Sequence, residues 1–131
     1  MRKLISLWLP VVTYMAMLYW FSSWTEVPDA PAGLSDKQIH FLLYGGLAAV
    51  SARALARGQW RQLTLFVALG ATLIASAYGL FDEFHQTWVP TRTVELADMI
   101  VNTLGALVAS AALWVWSIIR ARNLPGAPYV L

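Results

Sequence analysis

The residues able to do chemistry crowd into one stretch, Asp82-Glu83-Phe84-His85-Gln86, followed by Arg92, Glu95, Asp98 and Asn102. Carboxyls, an imidazole, amides and a guanidinium at this density equip a chain for proton exchange, for capture of an anion or for holding a metal ion. A second group, Asp36, Lys37, His40 and Tyr44, recurs upstream at helical spacing. The rest of the chain makes both groups conspicuous. Of 131 residues, 59% are hydrophobic and 12% charged, with a mean hydropathy of +0.58, against about 25% charged residues in a soluble domain. This is the composition of an integral membrane protein, in which ionisable groups are costly to place and are functional candidates by default.

Each chemistry makes its own demands. Acid/base work needs no cofactor: Asp82, Glu83 and Asp98 repel one another when ionised, which favours retention of a proton that His85 or His40 could exchange. Anion capture falls to Lys37 and Arg92, the two cations near the acids, and arginine's planar fork suits phosphate or carboxylate. Asp36, His40, Tyr44, Gln86 and Asn102 would then order a head group. A divalent ion could use His40, His85, Asp82, Glu83 and Asp98, but the chain contains no H-E-x-x-H or equivalent spacing, so the sequence assigns no metal and no other cofactor. With no cysteine, thiol nucleophiles, disulfides and Cys-ligated zinc are excluded. The net charge of +2 does not point to a nucleic-acid partner. A purely structural account also stands, in which the polar residues specify helix pairing or dock a protein partner that the sequence does not identify.

The elements that must position these residues are legible from the apolar runs. The sequence predicts an all-α, polytopic membrane bundle of four transmembrane helices over about 4–22, 36–55, 63–86 and 94–119, in one domain spanning 1–131. The first run is long for a cleaved leader despite Ala30-Pro31-Ala32 downstream, so a retained helix is expected. Ser35 and Gln38 form a capping-box pattern that starts helix two, and Thr93 is the expected cap of helix four. Between helices one and two, Glu26 to Gly33 reads as a short loop, and the tail with Pro125, Gly126 and Pro128 as loosely ordered. Small residues at Gly45, Gly46, Ala49, Gly70, Ala75, Gly79, Gly105, Ala109 and Ala112 are expected where helices approach closely.

Charge supplies an orientation. Arg2, Lys3, Arg53, Arg57, Arg61, Arg120 and Arg122 fall at one end of the expected bundle, and Lys37 and Arg92 at the other, which puts both termini in the cytoplasm by the positive-inside rule. The polar stripes of helices two, three and four then lie at the same outer depth, each continuing into small residues. They are best satisfied by facing one another across one pocket, because an unpartnered polar group in hydrocarbon costs several kcal/mol.

The joint pattern Asp36-Lys37-x-x-His40-Phe41-x-x-Tyr44, Asp82-Glu83-x-His85-Gln86, Pro90-x-Arg92 and Asp98-x-x-x-Asn102-x-x-Gly105 resembles the VanZ-like family of small bacterial membrane proteins. Thr91 and Ala109 stand where that family often has glycine. The resemblance implies a multi-pass protein of the bacterial inner membrane with an externally facing pocket and, in some members, reduced susceptibility to teicoplanin and related lipid-anchored glycopeptides. It does not supply a reaction. The resulting expectation is an outward pocket that binds an anionic envelope lipid or peptidoglycan-precursor head group, with a membrane acid/base hydrolase or transferase as the alternative and a partner-docking module as the third reading.

Overall fold

The computed structural model describes residues 2–25, 33–90 and 92–123. Four α-helices account for most of them: α1 (Arg2–Ser22), α2 (Asp36–Leu55), α3 (Leu65–Gln86) and α4 (Leu96–Arg122), with one 3-10 turn at Trp60–Gln62 between α2 and α3. The expected loop at 26–32, the Ala30-Pro31-Ala32 sequence, Thr91 and the tail beyond Asn123 lie outside the described residues.

Local chemistry explains the helix starts. At α2 the Ser35 hydroxyl accepts from the Gln38 backbone N–H at 3.3 Å, while the Gln38 side chain accepts from the Ser35 N–H at 2.8 Å, completing the capping box. Thr64 caps α3 by accepting from the Val67 N–H at 3.3 Å. Helix α4 departs from the expectation of a Thr93 cap: it begins after Glu95, which makes no side-chain cap bond. The Glu95 carboxylate is drawn instead to Lys37, 2.6 Å away on α2.

Contacts at the helix ends establish an up-down-up-down order. At one end Leu7 of α1 approaches Gly58 beyond α2, and the Ser117 hydroxyl of α4 donates to the Leu63 carbonyl before α3 at 3.0 Å. Arg120 lies over the rings of Trp60 and Trp116 at 5.3 and 5.2 Å, a cation–π arrangement suited to a basic, aromatic boundary. At the opposite end the C-termini of α1 and α3 meet through Ser23 and His85, and the N-termini of α2 and α4 meet through Lys37 and Asp98.

Helix α2 occupies the centre and packs against all three others. It buries Tyr44, Gly45, Leu47, Ala48, Ser51, Ala52 and Ala54, whereas α1, α3 and α4 turn Leu9, Val12, Phe66, Leu73, Leu80, Leu104 and Val108 outward. Apolar side chains therefore cover the outside while carboxyls lie within, the inverse of a soluble bundle. Among the described residues three helices, α1, α3 and α4, are long and apolar enough to cross a membrane. Helix α2 carries its charges near its ends, with Asp36 and Arg53 exposed and Lys37 half-buried.

Glycine allows the closest of these approaches. A Cβ at Gly105 would lie 2.9 Å from the Phe41 carbonyl carbon and 3.0 Å from its Cα, so α4 rests directly on the α2 backbone. Gly45 reciprocates, its face lying against the Gly105 carbonyl and Ala109. With no hydrophobic drive between helices in lipid, this contact supplies dispersion that larger side chains would prevent.

Candidate functional site

Helical periodicity sets one polar stripe on each of α2, α3 and α4, and the antiparallel order brings all three to the same end of the bundle. The Lys37 ammonium of α2 lies 2.6 Å from Glu95, just before α4, and also donates to the Asp98 carboxylate in its first turn. One turn further along α2, His40 Nδ1 is 3.1 Å from Asn102 Oδ1. Another turn along, the Tyr44 hydroxyl donates to Asp82 Oδ2 of α3 at 2.9 Å. The rungs descend from a half-exposed rim to a closed interior, since Glu95 retains 52% of its side-chain exposure and Tyr44 is 1% exposed.

The deepest groups are incompletely satisfied. Glu83 is 0% exposed, and among the described residues neither of its carboxyl oxygens makes a hydrogen bond of standard geometry, although the Glu95 backbone N–H approaches it; Asp82 Oδ1 and Asn102 Nδ2 likewise lack partners there. Asp98, His40 and Asp82 act on Glu83 electrostatically. Gly79 makes room for this arrangement: a Cβ there would lie 3.1 Å from the Tyr44 ring and 3.3 Å from Asn102. Buried polar atoms without partners are rare, and three oxygens plus one amide nitrogen in this region leave donors and acceptors free for polar groups from outside the chain.

The remaining candidates lie elsewhere around the same end. His85 turns toward α1, with Nε2 3.0 Å from the Ser23 hydroxyl and its ring 4.2 Å from the Tyr19 ring, apart from the His40–Asn102 pair. Arg92 donates Nε to the Trp24 carbonyl at 3.2 Å and approaches the Phe21 carbonyl at 3.5 Å. It therefore binds carbonyls at the C-terminal end of α1 rather than the acids. Gln86 is buried at the end of α3. Asp36, at the rim, has Oδ2 3.9 Å from His40 Nε2, and the donor atoms of Asp36, His40 and Asp98 all lie within 4.8 Å of one another.

Two features escaped the sequence. Glu95 shares Lys37 with Asp98, although its position at the start of the α4 stripe was a signal. An apolar groove of about 340 Å³ runs beside the rim between α2 and α4, lined by Leu34, Lys37, Gln38, Phe41, Leu42 and Val101. Lys37 thus belongs both to the acidic ladder and to the groove.

Compared with known proteins, residues 3–119 match the family model described as VanZ/LLP1. The curated proteins and the solved structures each contain no match to the chain.

Proposed function

The chain belongs to the VanZ/LLP1 family, and from that premise we propose that it is a four-span inner-membrane protein that binds the head group of an anionic envelope lipid or lipid-linked precursor in its polar pocket. The observation that carries the reading is the position of Lys37, which joins the apolar groove to the buried ladder. An acyl chain in the groove would place its phosphate at the ammonium. Glu95 and Asp98 use two of that group's three donors, and one remains for the ligand. Head-group hydroxyls or an amine would answer the free oxygens of Glu83 and Asp82. Arg92, with two of its five donors on carbonyls, offers a second contact on the α1 side of the mouth. The excess of arginine and lysine at the other end favours an outward-facing pocket.

Native mass spectrometry of the detergent-purified protein tests this. The expected result is a phospholipid-class adduct on wild type that is depleted in Lys37→Met and in Leu42→Trp, a substitution on the exposed wall of the groove. Equal retention in all three proteins would overturn it. A change in teicoplanin susceptibility on expression, lost with the same variants, would connect the binding to the envelope.

A second reading, hydrolysis or transfer at the same head group, is favoured by one specific observation: a wholly buried Glu83 whose carboxyl feels the charges of Asp98, His40 and Asp82. It requires turnover of a lipid-linked substrate that Glu83→Gln abolishes without preventing binding.

A further inference from the structure

We propose that Asp36, His40 and Asp98 form a binding site for one divalent transition-metal ion of the zinc class at the mouth of the pocket. The three residues come from two helices. Asp36 and His40 are one turn apart on α2, and Asp98 is brought opposite them by the α2–α4 packing, which is why no spacing along the chain announces the set.

The geometry around His40 is that of a ligand held ready. His40 Nδ1 lies 3.1 Å from Asn102 Oδ1, and the tautomer that donates there presents the Nε2 lone pair. Metal-bound histidines are oriented by such a partner on the other ring nitrogen. Nε2 faces Asp36 Oδ2 at 3.9 Å, too far for a hydrogen bond and suited to two ligands of a common ion. Zinc bonds of about 2.0–2.2 Å place tetrahedral ligand atoms roughly 3.3 Å apart, so a cluster within 4.8 Å closes by a modest inward turn. Asp36, with 61% of its side chain exposed, is free to make that turn. Asp98 keeps capacity for the ion while it accepts from Lys37, because a carboxylate offers about four lone-pair sites.

The charge balance points to a cation. Among the described residues this end of the bundle carries five carboxyls, Asp36, Asp82, Glu83, Glu95 and Asp98, against two cations, Lys37 and Arg92. Arg92 is directed to backbone carbonyls, so the acids share Lys37. The charges of Asp98 and His40 are felt at Glu83, which is 0% exposed and among the described residues makes no hydrogen bond of standard geometry. Three protein ligands with one side open would leave a coordination position for water or for an oxygen of a bound anion. The site stands independently of lipid binding.

The test is a competitive titration of zinc with a chromophoric chelator, using full-length protein stripped of metal, in detergent without added phospholipid. One zinc per chain is expected, with affinity lowered at least tenfold by Asp36→Asn and by His40→Gln, and unchanged by His85→Gln. Asn102→Ala is expected to weaken binding by about 10–100-fold through loss of the orienting bond. Asp36 is exposed, so Asp36→Asn keeps the test decisive if His40→Gln fails to fold. Absence of stoichiometric zinc, undiminished affinity in Asp36→Asn, or equal loss in His85→Gln would overturn the proposal.

Discussion

Replacing Gly105 by alanine adds one methyl group where α2 and α4 touch through their backbones. The new Cβ would sit 2.9 Å from the carbonyl carbon and 3.0 Å from the Cα of Phe41, whereas carbon atoms rest at about 3.5–4.0 Å. Backbone cannot rotate away as a side chain can, so the two helices must part by roughly 0.5–1 Å, a gap that forfeits a quarter to a half of each affected dispersion contact. The expected cost is about 1–3 kcal/mol, the usual range for overpacking. The same parting stretches the His40–Asn102 bond one turn closer to the mouth. Thermal unfolding in detergent, followed by circular dichroism, measures the effect. Gly46→Ala is the internal comparison, because its added methyl meets the ring end of Tyr14, which can swing aside. Gly105→Ala matching wild type, or proving less harmful than Gly46→Ala, would refute the reasoning.

Tyr44→Phe removes the donor to Asp82 Oδ2 and leaves that buried carboxyl with neither oxygen bonded; a loss of about 1–3 kcal/mol is expected in the same unfolding assay. Asp98→Asn is expected to destabilise more than Glu95→Gln, although both residues bind Lys37, because Asp98 retains 9% of its side-chain exposure and Glu95 52%. Equal unfolding midpoints for the two variants would contradict the ladder as described. Arg92→Ala is expected to quicken amide hydrogen exchange at the C-terminal turn of α1, around Tyr19 to Trp24, while leaving α2 and α4 protected. Uniform loss of protection would show that Arg92 supports the whole bundle instead.

Much of the helix layout was legible because its causes are local. Ser35 and Gln38 sit three apart and cap α2 whatever surrounds them, and the apolar runs ended close to where α2 and α3 end. The start of α4 was not legible in the same way, since Glu95 is claimed by a lysine 58 positions away. The stripes of α2, α3 and α4 were visible as periodicity, which states which residues share a face and leaves open which atoms pair across it.

From the sequence alone came four expected membrane-spanning helices of alternating direction, with the polar groups gathered at one end; among the described residues three of the four helices are long and apolar enough to cross. Composition and 3.6-residue periodicity suffice for this, because both act within a single helix. How those groups pair is fixed by the packing of the helices. Lys37 bridges Asp98 and Glu95, Arg92 closes the carbonyls at the end of α1, His85 turns to Ser23, and Asp36, His40 and Asp98 converge. Pairing depends on the rotation and depth of each helix against its neighbours. Those are set by contacts such as Gly105 on Phe41, which involve residues far apart in the chain and leave no periodic signal in it.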